Sequence, residues 1–170
     1  HTLIDKLEIS AGEYELETRK KMHLLAQTIV LSSVGIPFLH AGTEFFRTKY
    51  GEHNSFESRD SINKIDWSMA YENKEAVEYI KDLIAFRNNN PVFWLNSEKD
   101  LLEKLAFLES ENSDLICYSL TNSQGEGSFQ KALFIFAGVN AKELISLPEG
   151  KWKLMFSDFK KAESEVLLES

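Results

Sequence analysis

The sequence is poor in the features that would make its function easy to read. It has a single cysteine, Cys117, which rules out an internal disulfide. That residue lies in an apolar run (LICYSL), where a thiol is buried and inert rather than nucleophilic. Prolines number only three, so no proline-rich linker or polyproline segment is present. No stretch approaches the roughly eighteen apolar residues of a membrane-spanning helix. Basic residues are outnumbered, 19 Lys and Arg against 27 Asp and Glu. The formal net charge of −8 is spread along the 170 residues without a basic patch, which argues against nucleic acid as a partner. No signal peptide is visible, but the chain starts at His1 rather than Met. It is therefore expected to be a piece of something longer, and that absence excludes nothing. The familiar catalytic signatures are missing: there is no GxSxG, HExxH, Walker loop or dinucleotide fingerprint. Four histidines (His1, His23, His40, His53) show no zinc-like spacing with the cysteine.

What remains is a soluble, globular composition large enough for one domain or two small ones. Residues 1–16 read as irregular. A helix is expected from about Thr18 or Arg19 to Val34. Met22, Leu25, Ala26, Ile29 and Val30 form its apolar stripe, widened by Leu24, Leu31 and Val34. Gly35 suits a left-handed cap and Pro37 stops the helix. Ile36–His40 then reads as a short buried parallel strand. A second helix is expected over 74–89 after the N-cap Asn73, with Ala76, Val77, Ile80, Leu83 and Ile84 inward. Beyond a boundary near residue 92, a short helix over Ser97–Lys104 precedes several β-like runs. These are Ala106–Glu109, Leu115–Thr121, Ala132–Val139, Glu143–Leu147 and Trp152–Phe156, with turns at Gln124–Ser128 and Pro148–Gly150. Short strands at this spacing suggest an antiparallel sandwich.

Between strand and second helix lies the most informative segment, Gly35–Trp67: GIPFLHAGTEFFRTKYGEHNSFESRDSINKIDW. After a short apolar run come about thirty residues of His, Asn, Asp, Glu, Arg and aromatics with little periodicity, and long loops of this kind are usually functional. Flat rings beside hydrogen-bonding groups suit sugar binding. Packing against the body is the preferred reading for Phe45, Phe46 and Trp67; for Tyr50 and Phe56, packing and sugar stacking both stand open. His40 is open in the same way, between a structural histidine and a substrate contact. Arg47 and Lys49 are expected to pair with loop acids. The carboxylates Glu44, Glu52, Glu57, Asp60 and Asp66 permit paired-carboxylate glycoside chemistry, with solvated loop charges as the plainer account.

This segment closely resembles the region around the last barrel strand of type I pullulanases, debranching enzymes of the α-amylase superfamily. Their usual form is GIPFLHAGQEF-RTK-G--NSYNSPD-IN--DW. The opening His1-Thr2-Leu3-Ile4-Asp5-Lys6 resembles the end of a second family block, SHDN-x-TLWDK. The resemblance covers most of residues 1–95. It implies an α/β plus all-β fold, the last part of a (β/α)8 TIM barrel over 1–91 followed by an antiparallel β-sandwich, truncated, over 92–170. It implies a retaining glycoside hydrolase cleaving α-1,6-glucosidic linkages in pullulan, glycogen or limit dextrins. All catalytic carboxylates would then lie upstream, leaving no catalytic residue in this segment and a chain inactive on its own. The implied partners are an α-glucan and the upstream part of the same enzyme. No cofactor or metal is implied here, and calcium is left open for the complete enzyme. By resemblance Asp60 and Lys64 hold a glucose unit, Asn54 and Phe56 shape that subsite, Tyr50 and His40 border it, and Glu44 fixes the loop. Phe56 in place of Tyr, Glu57 of Asn, Arg59 of Pro, Thr43 of Gln and Ile4 of Trp depart from the pattern. They bear on debranching specificity more than on superfamily membership. A non-catalytic carbohydrate-binding or structural module, or an isoamylase-like or α-1,4-acting relative, is the alternative. A barrel segment without its neighbours should also leave Leu25, Ile29 and Val30 unusually exposed.

Overall fold

A computed structural model describes residues 1–95, 97–122, 129–138, 145–162 and 167–169. It combines helices with antiparallel sheets in two compact units: His1–Leu31 with Pro37–Leu83, and Ser32–Ile36 with Ile84–Ser170. No helix among the described residues is long and apolar enough to cross a membrane.

The first unit opens with a helix, α1 (Leu3–Ser10), where irregular structure was expected. Its cause is local. Thr2 accepts from the Asp5 amide while the Asp5 carboxylate accepts from the Thr2 amide, a reciprocal capping box. The Thr-x-x-Asp signal was there to be read in the sequence. Helix α2 (Leu16–Ser32) starts two residues before the expected Thr18; its buried side keeps Leu24 and Leu31 of the expected stripe, and the unusual exposure expected at Leu25, Ile29 and Val30 is found. His23, Leu24, Gln27 and Leu31 are buried, whereas Leu25 and Ile29 are only half-buried and Val30 is 39% exposed. Periodicity finds an apolar stripe but cannot say which side meets a neighbour. Here the polar pair His23 and Gln27 is drawn inward by hydrogen bonds to the Thr43 carbonyl.

Ile36–His40 does not form the expected buried strand: Ile36 is 99% and Phe38 85% exposed, and no described strand pairs with the segment. A parallel strand exists only through its neighbours, so an apolar run without one stays irregular. The following loop contains a 3-10 turn (Thr43–Phe45) and two short helices, α3 (Asp60–Asn63) and α4 (Ser68–Glu72). Helix α5 (Lys74–Asn88) matches its expected span closely. It buries Ala76, Ile80 and Leu83 as expected. Tyr79 joins them, its hydroxyl 2.8 Å from Thr28 Oγ1, while Ile84 stays 37% exposed.

In the second unit the end of α5 is closed by Asn90, whose side chain donates to the Phe86 carbonyl at 2.6 Å. Pro91 then starts a 3-10 turn through Trp94, because it cannot continue the α-helical bonding. Helix α6 (Glu98–Lys104) is capped by Ser97. The sheet β1 (Leu105–Leu108), β2 (Leu115–Thr121), β3 (Lys131–Ala137) is antiparallel in chain order, with Tyr118 opposite both Phe107 and Phe134. β2 is central and buries Cys117 and Ser119 on one face, Tyr118 and Leu120 on the other. The expected strand Trp152–Phe156 is split into β4 (Lys151–Lys153) and β5 (Phe156–Ser157). β5 turns back through Asp158 and Phe159, both at positive φ, into β6 (Lys160–Lys161), and β4 pairs with β7 (Leu167–Glu169). The expected turn at 124–128 and the end of the expected strand at Val139 lie outside the described residues, as do positions 143–144; residues 145–147 are not a strand. Phe93 and Leu120 form the sealed centre, each at 0% exposure. The Phe93 ring meets Phe86, Phe129 and Phe134 edge-on.

Candidate functional site

The loop of the first unit is held in shape by a small set of polar anchors. Gly42 adopts φ +89°, which lets the chain turn directly over the Arg47 side chain. Arg47 is buried and donates to the carbonyls of Ala41, at 3.2 Å, and Asn63, tying the two ends of the loop together. Asn63 donates in turn to the carbonyls of Ser55 and Ser58 at 2.6 and 2.9 Å. Lys49 Nζ donates to Ser55 Oγ at 2.6 Å. Arg47 and Lys49 thus satisfy carbonyls and a hydroxyl, not the loop acids expected to pair with them. Open backbone carbonyls in a long loop have to be satisfied somewhere, and the side chains of Arg47 and Asn63 reach them.

A second anchor comes from α1. Asp5 is buried and accepts from the Thr48 hydroxyl and from the Lys49 amide at 2.9 Å. Burial alone would raise its pKa. The bonds from Thr48, Lys49 and Thr2 together outweigh burial and lower it. The third anchor is on α2. His23 Nε2 lies 2.8 Å from the Thr43 carbonyl and Gln27 donates to the same oxygen at 3.0 Å. The carbonyl can only accept, so Nε2 carries a proton and donates it to Thr43.

Burial pushes the His23 pKa down, against the opposing effect of its bond to Thr43. Below about pH 6.5 the unfolded chain therefore binds a proton the folded chain refuses, and stability falls as pH drops through that range. In His23→Gln that slope is expected to flatten without vanishing, because burial, and then the charges of Arg47 and Lys49, also lower the His40 pKa. The Asp5 contribution is lost only below about pH 3.8 and does not interfere. Urea midpoints at several pH values for both proteins provide the measurement; identical slopes would contradict the assignment.

Together the anchors frame an open concavity of about 650 Å³. His40, Asn54 and Phe56 line it, with Phe38, Thr43 and Asn63. The other three candidate residues are not in its lining. Asp60 begins α3 and Lys64 follows it; both are exposed on either side of the lining residue Asn63 and are joined by a 2.8 Å backbone bond. Tyr50 is 69% exposed at φ +55°, at the tip of a turn closed by the Glu52 amide on the Lys49 carbonyl. The lining supplies imidazole, amide and hydroxyl groups beside two phenyl rings, the equipment for holding a polyhydroxylated ligand by hydrogen bonds and stacking. Among the described residues no group of three His, Cys, Asp or Glu is placed to hold a metal ion. Sequence reasoning missed the structural roles of Asp5, Thr48, Ser55 and Asn63; only the capping box at Asp5 carried a local signal. Phe45 and Phe46 are buried as the packing reading expects, but Trp67 is 68% exposed, contrary to it.

Comparison with known proteins places this geometry. The family model for the pullulanase all-beta domain matches residues 102–160. A pullulanase of Bacillus subtilis (strain 168) is 40% identical over 120 residues, which make up 71% of this chain and 17% of that protein. The structure of a type I pullulanase from Bacillus subtilis str. 168 complexed with maltose superposes on 99% of this chain with a TM-score of 0.92 and 31% identity. A pullulanase from Anoxybacillus sp. LM18-11 complexed with maltotetraose does so with a TM-score of 0.90 and 32% identity. The chain spans 24% of each of these two solved chains.

Proposed function

Because the chain belongs to the pullulanase family, we propose that it is part of a retaining glycoside hydrolase cleaving α-1,6-glucosidic branch linkages in pullulan, glycogen or limit dextrins. Residues 1–91 form the end of its catalytic (β/α)8 barrel and residues 92–170 its β-sandwich. In the whole enzyme one carboxylate attacks the anomeric carbon while a protonated partner releases the leaving oxygen, and water then resolves the glycosyl-enzyme. The chain supplies a substrate subsite and not those carboxylates.

One observation carries the reading. Nearly the whole chain superposes on pullulanases solved with maltose and maltotetraose, and its loop gathers hydrogen-bonding and aromatic side chains around a concavity. The loops at the carboxyl ends of barrel strands are where such enzymes bind substrate. The glucan meets His40, Asn54 and Phe56 in the concavity and continues over α3. There Asp60 accepts hydrogen bonds from adjacent hydroxyls, Lys64 donates to them, and Tyr50 borders the path.

Two measurements test this. The purified 170-residue chain is expected to leave pullulan uncleaved; hydrolysis would refute the assignment of the carboxylates to another segment. In a protein that also contains the upstream segment, Asp60→Ala is expected to weaken glucan binding about tenfold or more, the loss of a charge-assisted hydrogen bond. Unchanged affinity would remove Asp60 from the subsite.

A further inference from the structure

Trp67, the N-cap of α4, and Tyr71 within it are four residues apart, so they share one side of it. They are 68% and 83% exposed, and neither lines the concavity. Trp67 is nevertheless not loose. Its ring rests on Phe45, centroids 5.8 Å apart at 50°, and Phe45 is 1% exposed. The indole is thus a plate supported from the core and open to solvent. Beside it, Asp66 is oriented by Ser68, whose amide and hydroxyl both donate to Oδ1 at 3.0 and 2.6 Å. Both bonds fall on Oδ1, so Oδ2 remains available as an acceptor. The same Ser68 bonds lower the carboxyl pKa.

We propose that Trp67, Asp66 and Tyr71 form a second α-glucan contact outside the concavity. The apolar C–H face of one pyranose lies on the Trp67 ring, its hydroxyls donate to Asp66 Oδ2, and Tyr71 takes the neighbouring unit. The inference rests on the α-glucan reading above. A protein partner fits this surface less well. An apolar segment covering the indole would strand the adjoining carboxylate without hydrogen bonds, whereas a hydroxyl-rich ligand satisfies both.

The test titrates maltoheptaose into the full chain while following the indole N–H signals of Trp67, Trp94 and Trp152 and the ring signals of His40 and Phe56 by nuclear magnetic resonance. The Trp67 signal is expected to shift saturably. Asp66→Asn, which preserves the shape, should weaken that shift about tenfold or more and leave the His40 shifts unchanged. Phe56→Ala should leave the Trp67 shift in place. Shifts at His40 and Phe56 with Trp67 unmoved would overturn this inference and leave the α-glucan reading standing. No shift anywhere would count against both. A Trp67 indole inaccessible to acrylamide in a protein that also contains the upstream segment would show the plate covered by polypeptide, and would overturn the inference alone.

Discussion

Phe93→Ala is expected to destabilise the second unit by about 3–5 kcal/mol, the range for emptying a sealed aromatic site. The ring is fully buried and touches three other phenyl rings edge-on, at centroid distances of 5.8, 6.5 and 6.0 Å. Its face also carries the Arg87 guanidinium at 5.2 Å. That guanidinium is buried and donates to the carbonyls of Ser33, at 2.6 Å, and Gly35, just past the end of α2. Removing the ring therefore opens a cavity and loosens a buried cation at the same time. Phe93→Leu, which refills much of the volume, is expected to cost clearly less. Urea unfolding followed by circular dichroism measures both. Equal, small losses for the two variants would mean that this ring is not the centre of the unit.

Gly42→Val is expected to cost about 2–5 kcal/mol, combining backbone strain with overpacking. At φ +89° a β-branched residue is strained whatever the surrounding space. Space is lacking as well: a Cβ at this position would stand 2.8 Å from both Arg47 Cβ and Cδ and 3.2 Å from Phe45 Cε2. Arg47 would have to move, and with it the bonds to Ala41 and Asn63 that close the loop. The effect should thus spread beyond stability. Hydrogen exchange at the Arg47 and Lys64 amides, which donate to Gly42 and Asp60, is expected to accelerate. Gly42→Ala gives a graded version of the same test. If it leaves both the urea midpoint and these amides unchanged, the close packing of Gly42 on Arg47 is not what fixes the loop.

Features with a short-range cause could be read directly from the chain. Helix α5 runs from just after Asn73 to just before Pro91 because its starts and stops are written in adjacent residues. β2 occupies Leu115–Thr121 as expected because its apolar run is bounded by turn residues. The Gly35–Trp67 motif named the family that the comparisons then supported. Even the missed helix α1 was legible, in Thr2 and Asp5.

The candidate site divided along another line. Residue types suited to sugars were visible, but not which of them meet. His40, Asn54 and Phe56 come to one concavity while Tyr50, Asp60 and Lys64 lie outside its lining, a distinction that depends on Arg47, Asn63 and Asp5 folding the loop back on itself. Trp67, read as packing, stands exposed because only one side of its ring finds the core.

The order of residues by itself determined the bounds of α5, α6 and β2, and which family the chain resembles, because caps, breakers and bounded apolar runs act over a few neighbouring positions. Tertiary structure alone decided which face of α2 is buried, what Arg47 satisfies and which loop side chains converge. Those outcomes follow from contacts between positions distant along the chain, where a buried carbonyl must find a donor wherever the fold can bring one.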